Sequence, residues 1–203
     1  SEEIQEDEED FYFRSTLFDK ELNRDDSLTT NAINEYEVQE KNDDFLEILT
    51  QRAEELCNYP SDNKLSKAIS VLSDWTKGVQ EIVDGVKQKV VYHPIVFCKY
   101  IQTAKYIGEK LKDYFRNKVQ VVVATSELAD EQRRDLIDSI HPDKPRILVA
   151  TDCLIEGINL QELFNAVLHY DLPWNPNRIE QRDGRVDRFG QESPRIKTFI
   201  LLG

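Results

Sequence analysis

The chain has 203 residues, 39% of them hydrophobic and 32% charged, with a formal net charge of −13. That length accommodates one sizeable core with an appendage. No apolar run approaches a membrane span and no signal-peptide pattern opens the chain, so no membrane partner and a cytoplasmic location are expected. Cys57, Cys98 and Cys153 are scattered, odd in number and without a C-x-x-C pair, which argues against a disulfide framework or a zinc site. His93, His141 and His169 show no metal-ligand spacing. No metal site is expected, and His169, set in an apolar run, reads as structural.

The acidic excess is confined to the start of the chain. Residues 1–60 hold 19 Asp or Glu against 5 Lys or Arg, and residues 61–203 hold 20 against 21. Global charge therefore describes an appendage, and a nucleic-acid partner for the remainder stays open. The chain starts at Ser1 and contains no methionine. That is expected of a fragment, or of a chain written without modified methionines; the fragment is the expectation carried forward.

Residues 1–10 are an acidic run expected to be solvated. Residues 11–18 carry Phe11, Tyr12, Phe13, Leu17 and Phe18, too aromatic for a plain tail. From about 31 to 58 the pattern is helical, with Phe45, Ile48, Leu49 and Leu56 on an apolar stripe, and it reads as an amphipathic helix docked on a neighbour. These residues form the first predicted domain, 1–60, acidic and mainly helical.

The second predicted domain is 61–203. Residues 63–75 predict a helix with Leu65, Ala68, Ile69 and Leu72 inward. Residues 79–91 suit either a helix or a helix running into a strand. Residues 95–98 are a short apolar run of the buried-strand type. Helices are predicted over 103–115 and 128–140, with strands over 119–124, 146–150, 164–170 and 196–202. His141-Pro142-Asp143 breaks the second helix. Apolar strands alternating with helices predict an α/β fold: a parallel sheet with helices on both faces.

The last predicted helix starts at Asn175-Pro176, an Asn cap followed by Pro at the first helical position. It is expected to run to a stop at Gly190. On one continuous helix Ile179 and Val186 share a buried face, and Gln181, Arg185 and Arg188 share the opposite one. A row of arginines on a fixed frame suits a phosphate, because the guanidinium is planar, many-donored and always charged. In parallel sheets ligands gather where strands end at their carboxyl edges, and two loops leave such edges here, at Thr151-Asp152 and at Asp171–Trp174. Arg182 and Asp183 read as surface charges. Asp152 reads as structural, a cap or an arginine partner, and Trp174 as a packing anchor for its loop.

At these residues a family resemblance appears. ATDCLIEGINL at 150–160 resembles motif V of superfamily 2 helicases, and QRDGRVDRFGQ at 181–191 resembles motif VI. The run at 95–99 is similar to motif IV. DLPWNP at 171–176, together with Gly190-Gln191, resembles the SWI/SNF-like ATPases, and within them the bacterial RNA-polymerase-associated translocases. The resemblance covers about 61–203.

The resemblance implies a RecA-like lobe, the second of two, with ATP between them. The first lobe would hold the P-loop and Mg2+; no G-x-x-x-x-G-K-[ST] occurs in these 203 residues, so this lobe alone is expected to be inactive. Arg185 and Arg188 would be arginine fingers. Gln181 would sense nucleotide, and Gly157 and Asn159 would approach the ribose. Thr151, with Lys99, Thr125 and Ser126 as further candidates, would meet the nucleic-acid backbone. Implied partners are the first lobe and nucleic acid, in particular duplex DNA. Without its partner lobe, the arginine face is expected to be open to solvent or satisfied by local carboxylates. The alternative reading is a protein-interaction scaffold derived from such a lobe.

Overall fold

The structure is a computed structural model that describes residues 43–56, 62–155, 159–191, 193 and 195–202. The chain divides into two units, Ser1–Arg52 and Ala53–Gly203. Of the first, only the opening of helix α1 (Asp43–Leu56) is described, with Ile48 and Leu49 exposed on it. The expectations for residues 1–42 lie outside the described residues.

The second unit opens with α2 (Asn63–Lys77). Asp62 caps it, its Oδ1 accepting from Leu65 N at 2.8 Å, which satisfies one of the donors that a helix start leaves orphaned. Leu65, Ala68, Ile69 and Leu72 are all buried, as their spacing predicts. Gly78 ends the helix at φ 96°.

Next comes a hairpin of β1 (Val79–Val83) and β2 (Val86–Val90), antiparallel, where the sequence left a helix open. The turn is Asp84-Gly85, both residues at positive φ, 52° and 79°. This is the two-residue turn whose twist matches paired strands, and Asp-Gly is a favoured sequence for it. Glu81 ties the hairpin to the body by accepting from Tyr92 Oη at 2.6 Å and from Lys197 Nζ.

The main sheet has five parallel strands in the order β4-β5-β3-β6-β7. They are β3 (Pro94–Phe97), β4 (Gln120–Ala124), β5 (Arg146–Ala150), β6 (Ala166–His169) and β7 (Lys197–Ile200). Helices α3 (Ile101–Phe115), α4 (Asp130–Asp138) and α5 (Pro176–Asp183) intervene. The three inner strands β3, β5 and β6 are buried at every residue, which is why they read as unbroken apolar runs.

Alternate residues feed two cores. Val96, Cys98, Val149 and Leu168 pack under α2 and α3. Ile95, Phe97, Leu148 and Val167 face Ile137 of α4, Leu154, Leu160, Phe164 and Val186. Gly108 lets α3 approach β4 closely: a Cβ there would stand 2.2 Å from Val123 Cγ2. The RecA-like α/β fold expected from the sequence is the fold observed.

Candidate functional site at motifs V and VI

The site is built around a buried carboxylate. Asp152 lies two residues past the end of β5 and opens a 3-10 turn (Asp152–Ile155). Its Oδ1 accepts from Arg182 Nε at 2.6 Å, and its Oδ2 from Arg182 Nη2 at 3.0 Å and Arg178 Nη1 at 3.1 Å. Arg182 is fully buried and Asp152 is 7% exposed. The fork-to-carboxylate geometry is the bidentate one that favours arginine over lysine. Arg182 Nη1 donates onward to the Asp171 carbonyl at 2.8 Å, and its guanidinium lies 5.2 Å from the Phe97 ring centre.

Asp171 closes the neighbouring loop. Its carboxylate accepts from Lys99 N and Lys64 Nζ, each at 3.2 Å. Motif V, the carboxyl end of β6 and motif VI are thereby bonded into one unit. Two sequence readings need correction. Arg182 is not a surface charge but the largest fully buried side chain, and Asp183 is not one either, since its Oδ1 sits 3.0 Å from His169 Nε2. Asp152 does take the arginine-partner role. His169 is fully buried, consistent with a structural position.

Helix α5 also ends earlier than expected. The Asn175 side chain caps it at 3.0 Å from Asn177 N, and Pro176 takes the first position. The stop is Gly184, not Gly190, and tighter turns follow: Arg185 N donates to Arg182 O at 3.2 Å and Val186 N to Asp183 O at 3.0 Å. Gly184 caps the helix end, and beyond it Val186 is fully buried in the same core cluster as Leu160 and Phe164. Gln191 secures the loop, its amide donating to Phe164 O at 2.9 Å and Val186 O at 3.0 Å. The buried series is therefore Arg178, Arg182 and Val186, four residues apart, in place of Ile179 and Val186.

Gln181 and Arg188 are exposed and Arg185 is half-buried, so all three lie outside the core, although the two arginines stand on turns and not on the helix. Trp174 is 94% exposed and is no packing anchor. Phe189 is fully exposed as well.

The remaining predicted residues are dispersed. Gly157 lies outside the described residues. Asn159 is exposed and lines a pocket of about 520 Å3 beside Arg134, Asp138 and Glu162, away from the Asp152 cluster. Thr151 is buried, its hydroxyl 3.2 Å from Cys153 Sγ. Thr125 is buried and Ser126 exposed at the end of β4. Lys99 is half-buried, its ammonium 4.9 Å from the Tyr100 ring centre. Burial pushes the Cys98 and Cys153 thiols up, so neither is a ready nucleophile. Among the described residues no group of three or more His, Cys, Asp or Glu is placed to hold a metal ion. No helix among them is long and apolar enough to cross a membrane.

A RecA-like lobe whose Asp152 carboxylate clamps Arg178 and the motif VI Arg182 points to a class, and comparison with known proteins agrees. The family described as the helicase conserved C-terminal domain matches residues 76–190, and the chain belongs to that family. It is 36% identical over 130 residues to the uncharacterized ATP-dependent helicase YqhH of Bacillus subtilis, a match spanning 61% of this chain and 22% of that protein. It is 30% identical over 102 residues to the ATP-dependent RNA helicase eIF4A of Kluyveromyces lactis, spanning 50% of this chain and 25% of that one. The matches thus span about a quarter of those relatives' length.

Among solved structures, domain 2 of the DEAD-box helicase Mss116p bound to an RNA duplex superposes with a TM-score of 0.54 at 19% identity, covering 68% of this chain and 50% of that one. A DEAD box protein from Methanococcus jannaschii gives 0.52 at 24% identity, covering 70% and 33%. These likenesses establish the fold.

Proposed function

We propose that this lobe is the second half of a composite ATPase site in a SWI/SNF-like translocase, with ATP bridging it to a first RecA-like lobe. The observation that carries the reading is the division of labour among four arginines. Asp152 consumes Arg178 and Arg182 inside the lobe, while Arg188 is exposed on the turn that follows the helix. Arg188, with Arg185 beside it, supplies charge to the phosphates of a nucleotide held by the other lobe. The amide of Gln181 and the carbonyl of Asn159 serve as polar contacts. A guanidinium delivered this way stabilises the charge that spreads over the transferring phosphoryl oxygens, on the order of 10³–10⁵ in rate. The first lobe holds the P-loop and Mg2+.

The track is proposed to be duplex DNA. That choice rests on the Asp171–Pro176 motif, within which Trp174 stands exposed. Thr151, Thr125, Ser126 and Lys99 sit at strand ends on the same lobe, with Ser126 the exposed hydroxyl of the group. The K. lactis relative is an RNA helicase, so stimulation of ATPase activity by duplex DNA against duplex RNA decides the track.

The finger assignment is tested by Arg188→Ala in the protein carrying both lobes. ATP binding should survive and turnover should fall by about 10³-fold or more. Hydrolysis at the unmutated rate would refute the finger role of Arg188, and an unmutated two-lobe protein without ATPase activity would favour the interaction-scaffold reading.

A further inference from the structure

We infer that His169 is a positioning residue for Arg185 and Arg188, acting through Asp183; the inference rests on the reading just given. His169 ends β6, fully buried, its ring stacked on Phe97 with centres 6.4 Å apart and planes 23° apart. Its Nε2 lies 3.0 Å from Asp183 Oδ1. A carboxylate accepts, so Nε2 carries the proton that is donated. Thr198 Oγ1, on β7, donates to the same oxygen at 3.3 Å. His169 Nδ1 has no hydrogen-bonding partner among the described residues, so the bond to Asp183 is the ring's polar anchor.

Asp183 is the last residue of α5, and its backbone carbonyl is shared. It accepts from Val186 N at 3.0 Å and from Asp187 N at 2.8 Å. Those two bonds shape the turn containing Arg185, and Arg188 N then donates to Val186 O at 3.1 Å. A continuous path therefore runs from strands β6 and β7, through one carboxylate, into the turn that carries both arginines.

A helix end has unsatisfied carbonyls and frays unless something holds it. Here Arg182 is held by Asp152 and Asp183 by His169, so two consecutive residues fix the direction in which the chain leaves the helix. A desolvated imidazole is costly unless hydrogen-bonded, and this one directs its bond at the residue that sets the turn. Catalytic groups need placement to within about 0.5 Å, and a displacement of about 1 Å costs on the order of 10²-fold in rate.

The test replaces the ring's donor without emptying its site. His169→Phe keeps a flat apolar ring against Phe97, and His169→Gln restores an N–H at the reach of Nε2. In the protein carrying both lobes, His169→Phe should lower kcat for ATP hydrolysis by on the order of 10- to 100-fold, with KM for ATP altered less than about twofold. His169→Gln should recover most of that loss. In the present chain, deuterium exchange at the Val186 and Asp187 amides should quicken about tenfold or more in His169→Phe, while the β3 and β5 amides keep their protection.

Unchanged kcat in His169→Phe, with Arg188→Ala inactive, overturns this inference alone. Arg188→Ala at full turnover overturns the finger reading and this inference with it. Exchange that quickens equally in β3, β5 and the turn, or a His169→Gln protein as slow as His169→Phe, also overturns it, because the ring would then only fill space.

Discussion

The two ends of the sheet each bury an arginine, and they satisfy it by different means. At the carboxyl end Arg182 meets the carboxylate of Asp152 through two nitrogens, with Arg178 on the same carboxylate. At the amino end Arg146, 5% exposed, donates to the backbone oxygens of Leu163, Pro142 and Lys144, and Asp143 supports its charge from farther off. Burial lowers the Arg146 pKa. The first arrangement joins separate motifs, since Asp152 leaves β5 whereas Asp171 and Arg182 follow β6. The second fastens the start of β5 to the loop before it and to the segment leading into β6. Both arrangements couple separate pieces of chain, since Leu163 lies well beyond β5, but only the first does so through a counter-charge.

The largest effect expected from this contrast is at Asp152. Asp152→Ala leaves two buried guanidiniums without their counter-charge, and removing one partner of a buried pair costs about 3–5 kcal/mol. Urea unfolding of this chain should show that loss as a shifted midpoint with an unaltered slope. A loss below about 1 kcal/mol would mean that water reaches the cluster and that the carboxyl end is no better knit than the surface.

Much of this was legible beforehand, for identifiable reasons. Strands β3, β5 and β6 are covered on both faces, so the sequence shows them as continuous apolar runs, and α2 shows its buried stripe directly. Two failures share one cause, an Asp-Gly pair read past. Asp84-Gly85 turns the hairpin, and Asp183-Gly184 ends α5. The burial of Arg182 was hidden because a charged residue goes inside only when a partner from elsewhere in the chain meets it, and nothing local announces that Asp152 does so. The i, i+4, i+8 spacing of Arg178, Arg182 and Val186 was the available signal. Trp174 failed in the opposite direction: an aromatic residue predicts burial on average, yet this one stands in solvent.

At the amino end the expected consequence is acid sensitivity. Burial, with the Arg146 charge adding to it, lowers the His93 pKa from 6.5 to about 4. The folded protein thus leaves His93 neutral where the unfolded chain takes up a proton. Stability from this group is present above pH 6.5, falls as the pH drops from 6.5 toward 4, and levels off below that. Unfolding midpoints measured across that range should decline, and His93→Gln should flatten the decline. Glu81 belongs to a lower window: hydrogen bonds from Lys197 and Tyr92 hold it below its ordinary 4.5, so its contribution is lost only under more acid conditions. A decline of equal slope in His93→Gln would mean that the amino end is indifferent to protonation.

The smallest expected effect is the one that separates structure from proposed chemistry. Arg188 is exposed, so Arg188→Ala should change the stability of this chain by no more than about 0.5 kcal/mol. Set beside Asp152→Ala, it compares arginine binding inside the lobe with arginine presented outside it, in one motif and under one assay. If Arg188→Ala destabilised the chain as Asp152→Ala is expected to, the exposed guanidinium would be serving its own fold. It would then be unable to leave for a nucleotide without unfolding the turn that carries it. A near-zero change has the opposite meaning: the side chain is held in place by its backbone alone, and its charge remains available to whatever phosphate a partner lobe delivers.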